Sequence, residues 1–192
     1  MVDIDLVNMA NVGKLGYVGS LPGKNRDSDS WYTPRKYIEA VTDVLGVIEL
    51  DPYSSDYANN VINAKVFYTL ENPCNLKEWA FRTVWMNPPY SSSGIKQAVS
   101  KFVEEYQKYK FEAIVLTNNA TETRWFQMLA ELSSAMCFTH HRISFENIDG
   151  KNKSNNTRGQ VFFYFGSNVS RFINSFSKFG LVLQGGLLRF RL

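Results

Sequence analysis

The tetrad Asn87-Pro88-Pro89-Tyr90 sets an amide side chain, two consecutive prolines and an aromatic ring directly after the apolar run Thr83-Val84-Trp85-Met86. Proline fixes φ and donates no backbone hydrogen bond, so the pair ends a strand and stiffens the loop beyond it. The Asn87 side-chain oxygen and the Pro88 carbonyl are then two acceptors held at a fixed spacing, with the Tyr90 ring beside them. Two fixed acceptors next to a flat ring suit a planar group that carries two N–H bonds. A stiff loop with no ligand is the simpler reading. Against it, average residue frequencies give such a tetrad in roughly one chain per thousand of this length. Its place after a buried strand also counts, since ligands of open α/β sheets sit beyond the carboxyl ends of the strands.

The elements that must hold such a site can be read from hydrophobic spacing. Thr33 is a candidate N-cap and Pro34 suits a first helical position. Tyr37, Ile38, Val41, Val44 and Leu45 then recur at helical spacing as far as Gly46. Val47 to Leu50 reads as a strand ending on Asp51-Pro52, with a brief helix from Tyr57 to Asn63 and a strand at Val66-Phe67-Tyr68. Beyond the tetrad, Ile95, Ala98, Val99, Phe102, Val103, Tyr106 and Tyr109 form one helical stripe. Ala113 to Leu116 is a buried strand, followed by a helix carrying Trp125, Phe126, Leu129 and Leu132. Further strands fall at Ala135 to Phe138 and Val161 to Phe165. A last helix carries Val169, Phe172, Ile173, Phe176 and Phe179 and is closed by Gly180. Leu181 to Leu183 and Leu187 to Arg191 flank Gln184-Gly185-Gly186 as a terminal hairpin. This alternation predicts an α/β fold with a mostly parallel, doubly wound sheet and a C-terminal antiparallel hairpin. Asp51 and Asn87 both fall at carboxyl strand ends.

Residues 1–30 hold Gly13, Gly16, Gly19 and Gly23 and then the polar run Lys24 to Ser30, with no helical or strand period. They read as a flexible arm, with ordered structure starting at Trp31 and a single domain over 31–192. The 192 residues are 44% hydrophobic and 15% aromatic, enough to build a core and to exclude a disordered chain. Charge is nearly balanced, 21 Lys plus Arg against 18 Asp plus Glu, a net +3 that permits an anionic partner without demanding one. No apolar run approaches the roughly 20 residues of a membrane span, and Asp3 and Asp5 argue against a secretory leader. Cys74 and Cys137 form neither a metal-ligand pattern nor a disulfide framework, which points to the reduced cytoplasm. His140-His141 lacks nearby cysteines or spaced carboxylates and reads as a surface pair, not a metal site.

The tetrad resembles the catalytic motif of S-adenosylmethionine-dependent methyltransferases that modify planar amino or amide nitrogens. Further pieces extend the resemblance. Trp31-Tyr32-Thr33-Pro34, Leu50-Asp51-Pro52, Phe67-Tyr68-Thr69, Trp79, Trp85 to Ser91, Trp125-Phe126, Arg142-Ile143-Ser144-Phe145 and Phe165-Gly166-Ser167 stand in the order of the phage-type DNA N6-adenine methyltransferase (Dam-like) family. Residues 31 to about 175 are covered. The resemblance implies a Rossmann-like methyltransferase fold and transfer of a methyl group from S-adenosylmethionine to adenine N6 in DNA. In that setting Asn87 and Pro88 would accept from the two amino N–H bonds, Pro89 would keep them rigid and Tyr90 would stack on the base. The base would be flipped or already single-stranded.

The same likeness implies cofactor contacts at Trp31, Thr33, Pro34, Asp51, Pro52, Ser54 and Asn87. Glu71, 20 residues after Asp51, fits a ribose-binding acid or a solvated surface carboxylate. Asp51-Pro52-Tyr53-Ser54-Ser55 lacks the glycines that many methyltransferases carry after this acid. Lys151, Lys153 and Arg158, in the polar stretch from Asp149 to Gly159, fit either DNA phosphate contact or a solvated loop, with Arg124 and Arg142 as further DNA candidates. The motif order favours adenine over cytosine N4, where the tetrad commonly comes first. A protein-glutamine methyltransferase shares the tetrad but carries a glycine-rich cofactor strand that is missing here. An inactive relative that only binds DNA is the alternative from another class. For a phage-encoded chain the compartment would be the host cytoplasm. With about thirty residues in an arm, little chain is left for a separate recognition domain, so specificity should be short or relaxed.

Overall fold

A computed structural model describes residues 32–146 and 156–185. Trp31, the arm over 1–30, Lys151, Lys153 and the 187–191 half of the expected hairpin lie outside those residues.

Helix α1 (Arg35–Leu45) buries Tyr37, Ile38, Val41, Val44 and Leu45 on one face and stops at Gly46, whose φ of 75° is a conformation that favours glycine. Pro34, not Thr33, occupies its N-cap position, and no side chain caps the helix. Strand β1 is only Leu50–Asp51, shorter than the hydrophobic run suggested, and Val47 stays exposed. Helix α2 (Asp56–Ile62) starts on Ser55, whose hydroxyl accepts from the Ala58 N–H, and leads to β2 (Val66–Phe67). Strand β3 (Thr83–Met86) runs into the tetrad as expected. Helix α3 (Ser92–Tyr109) is capped by Ser91 and buries Ile95, Ala98, Val99 and Phe102. Then come β4 (Glu112–Asn118), α4 (Arg124–Leu132), β5 (Ala135–Thr139), β6 (Gln160–Phe165), α5 (Val169–Phe176) and β7 (Gly180–Gln184).

The seven strands form one sheet in the order β2-β1-β3-β4-β6-β5-β7. Pairing is parallel from β2 through β4 and antiparallel at β4–β6, β6–β5 and β5–β7. The expected parallel sheet therefore holds for its first half only, and β7 pairs with β5. The cause is the connection between β5 and β6. Both of its ends lie at the same end of the strands, so β6 must run back and slots between β4 and β5. Strands β1 to β5 all point one way. Their carboxyl ends define one rim of the sheet, their amino ends the other.

Side chains alternate between the two faces, as a pleated strand requires. Trp85, Ile114, Leu116, Phe162 and Tyr164 pack with α1 and α5 on one side. Val84, Met86, Ala113, Val115 and Phe163 pack with α3 and α4 on the other. Every residue of β6 is buried, as a strand covered on both faces should be. The last helix ends three residues earlier than the phenylalanine spacing suggested. Phe179 still packs on Tyr37, ring centroids 4.7 Å apart, but Gly180 opens β7. A Cβ there would fall 1.9 Å from the Phe138 carbonyl oxygen, so close strand pairing, not helix termination, is what calls for glycine at this position.

Candidate active site

Asn87 leaves β3 at the carboxyl rim, followed by the buried Pro88. Its amide is held at both ends. Nδ2 donates to the Thr33 hydroxyl at 3.2 Å, and Oδ1 accepts from the Tyr90 hydroxyl at 2.7 Å. Thr33 is buried at 6% exposure, so its hydroxyl has little access to water and gives the amide a fixed partner. The expected N-cap is thus used in the site instead. The threonine has no helix to cap, because proline already holds that place.

Tyr90 sits where the two helical layers meet at the end of the sheet and packs against both. Its ring lies 6.3 Å from that of Phe145, tilted by 59°. Its hydroxyl also points at the Leu116 carbonyl, 3.5 Å away. Burial of that hydroxyl pushes its pKa far above the ordinary phenol range, so Tyr90 is a neutral donor at any working pH. An antiparallel bridge between Tyr32 and Glu146, two hydrogen bonds of 3.0 Å, ties the start of α1 to the Ile143–Phe145 segment.

Asp51 ends β1, the neighbour of β3, at the same rim and is 1% exposed. Burial raises its pKa from 3.8 to about 7, a rise held back by the Ser54 hydroxyl and by the Tyr53 N–H, which donates at 3.2 Å. No cation pairs with it among the described residues. The Ser54 Oγ stands near enough to temper Asp51 yet completes no hydrogen bond of its own, and it too is buried. Among the described residues, a buried carboxylate with spare acceptor capacity thus stands beside a hydroxyl that has no hydrogen-bond partner. Hydroxyl or ammonium groups would satisfy both. The glycine-poor loop after Asp51 therefore still presents polar groups, from side chains in place of a bare backbone.

The remaining candidates divide clearly. Arg124 opens α4, Arg142 follows β5 and Arg158 precedes β6, so all three stand exposed at the carboxyl rim. None hydrogen-bonds to the tetrad. Pro52 is buried behind Asp51, whereas Glu71 is exposed in the turn after β2, as a surface carboxylate would be. Phe145 and the Leu116 carbonyl belong to the site but carried no signal in spacing. Phe145 was visible only as part of a weak segment match.

The model of one family, DNA N-6-adenine-methyltransferase (Dam), matches residues 21–182. The chain belongs to this family. A DNA N-6-adenine-methyltransferase of Haemophilus phage HP1 is 27% identical over 147 residues, covering 74% of this chain and 81% of the phage protein. The protein of the same description from Escherichia phage T1 is 30% identical over 125 residues, 64% of this chain, and that match spans about half (49%) of its own length. The matched region of this Dam-family chain takes in Thr33, Asp51, the tetrad and Phe145 alike.

Proposed function

We propose that the chain transfers a methyl group from S-adenosylmethionine to the exocyclic N6 of adenine in DNA. The observation that carries this reading is the Asn87 amide, oriented from both ends at the carboxyl rim and backed by Pro88. The parallel half of the sheet, with helices on both faces, supports a Rossmann-like methyltransferase fold. The buried Asp51 carboxylate and Ser54 hydroxyl fit the hydroxyl and ammonium groups of such a cofactor, with Trp31, Pro34 and Pro52 as its further neighbours, while Thr33 positions the Asn87 amide. When bound, S-adenosylmethionine supplies an electrophilic methyl group.

The chain's own residues then prepare the nucleophile. An adenine amino nitrogen delocalises its lone pair into the ring and attacks poorly. Asn87 Oδ1 and the Pro88 carbonyl each accept one of its N–H bonds, which favours a pyramidal nitrogen and frees the lone pair. Because the prolines hold both acceptors, little reorganisation is left for the moment of transfer. A base with a carbonyl at that position meets acceptor against acceptor and is rejected. The Tyr90 hydroxyl holds one lone pair of Oδ1 and leaves the second for the incoming amine, while the ring can stack on the base for about 1–3 kcal/mol. No strong general base is required, since the methylated nitrogen carries a positive charge and loses its proton readily. The base must leave its helix or come from a single strand. Arg124, Arg142, Arg158, Lys151 and Lys153 are the proposed phosphate contacts. The buried, unpaired Cys74 and Cys137 suit the reducing cytoplasm of a host cell. Among the described residues, no helix is long and apolar enough to cross a membrane.

The deciding experiment is incubation with methyl-labelled S-adenosylmethionine and unmethylated DNA, then digestion to nucleosides. Label in N6-methyldeoxyadenosine is expected. Label in N4-methyldeoxycytidine, or none in DNA, would overturn the assignment.

A further inference from the structure

Between the start of α1 and the segments that follow β5 and α5 lies a groove of about 700 Å³ whose walls carry Arg35, Lys36, His140, His141, Arg142 and Lys178. All six are exposed, and among the described residues Glu146 is the one carboxylate that lines the groove with them. The ion pairs found among the described residues involve Lys65, Arg82, Lys101 and Lys108, none of which is in the groove. Among the described residues, four permanently charged side chains are therefore gathered here outside any ion pair, in a chain whose net charge is only +3.

Two of them are held in place by aromatic rings. The Lys36 ammonium lies 5.0 Å from the Tyr37 centroid and the Lys178 ammonium 5.2 Å from that of Phe179, within range for a cation over a ring face. Tyr37 and Phe179 themselves pack together, so both cations rest on one buried aromatic floor. His140 is anchored as well, through its Nδ1 and its backbone N–H to the Phe179 carbonyl. The groove abuts the active site. Pro34 and Ser144 line it, while their neighbours Thr33 and Phe145 touch Asn87 and Tyr90 respectively.

We propose that this groove binds the DNA backbone, with Arg35, Arg142 and Lys178 on successive phosphates of the strand whose base enters the tetrad. The proposal rests on the DNA reading above and assigns Arg35, Lys36 and Lys178, which the sequence left unmarked. Unpaired guanidinium groups match phosphate in a fork geometry that lysine alone cannot offer. A phosphate track adjoining the base pocket also fixes register, which base stacking by itself does not.

The test compares the unmodified protein with R35Q/R142Q/K178Q and with a control that removes as many charges from the far side, K77Q/K110N/R171Q. Binding to an adenine-containing duplex is followed by fluorescence anisotropy over a salt series. The groove variant should bind roughly tenfold or more weakly near 0.1 M salt, and its log–log salt slope should flatten by about 2 to 3, since each phosphate contact contributes roughly 0.9. The control should stay within about twofold, as loss of general attraction alone predicts. Equal binding by the groove variant, or equal weakening by both variants, would overturn the groove while leaving the DNA reading intact. Absence of DNA binding by the unmodified protein would instead defeat the DNA reading itself. Should the triple variant melt early, R142Q and K178Q singly are each expected to flatten the slope by about 1.

Discussion

The two rims of the sheet use the same kinds of charged side chain in opposite ways. At the amino rim Glu49, just before β1, meets both Lys65 and Arg82, which precede β2 and β3, and its Oε2 also accepts from the Arg82 N–H at 2.8 Å. Lys108 near the end of α3 pairs with Glu78. At the carboxyl rim, among the described residues, Asp51 pairs with no cation, the Ser54 hydroxyl has no partner, and Arg35, Arg142 and Lys178 form no ion pair. Polar groups that are satisfied within the chain serve the fold, whereas a group left unsatisfied is free to serve a ligand. The carboxylate of one rim is tied to cations of the chain; that of the other is not.

The contrast is sharpest at Asn87. Asn87→Ala should lower the single-turnover rate by a factor of about 10²–10³, as loss of a fixed transition-state acceptor does, beside a stability loss of about 1–3 kcal/mol from the Thr33 and Tyr90 hydroxyls it leaves without their partner. A variant that methylates at the unmodified rate would break the division at its centre. Asp51 gives the next effect. Its proton is held more tightly in the folded than in the unfolded protein, so the share of ligand-free stability that Asp51 contributes is full below pH 3.8, declines as pH rises toward about 7 and then levels. Urea unfolding across that window should show a loss on the order of a few kcal/mol, and Asp51→Asn should remove that slope. A stability that instead rises over the window would mean the carboxylate is satisfied after all.

Thr33→Val removes the acceptor for Asn87 Nδ2 and should lower kcat about tenfold, in line with one buried hydrogen bond, while the KM for cofactor barely moves. Thr33→Ser should restore the rate. A raised cofactor KM with unchanged kcat would make Thr33 a cofactor contact in place of a positioning residue. The smallest effect belongs to the amino rim. Arg82 is an exposed ion-pair partner, so Arg82→Ala should cost under about 1 kcal/mol in urea unfolding and nothing in methyl transfer.

What the sequence made legible was whatever depends on near neighbours. The α3 stripe, the strand leading into the tetrad and the glycine stop after α1 can all be read from spacing and φ. Strand partners cannot. Nothing local says that β6 inserts between β4 and β5, because its run Val161 to Phe165 is apolar enough to serve on either side of any strand. Thr33 illustrates the same limit. Next to a proline and a helical pattern it reads as a cap, and its actual partner lies 54 positions away. The groove was unreadable for the same reason: its cations, the pair at positions 35 and 36 and the single ones at 142 and 178, are far apart in sequence and meet only once α1, β5 and α5 are packed.

The hydrogen bond from Tyr90 to Asn87 has one more consequence. One lone pair of the Asn87 Oδ1 is already engaged by a donor from within the chain, which leaves the second for a ligand. The direction in which this acceptor can be used is therefore set by the protein before any ligand arrives.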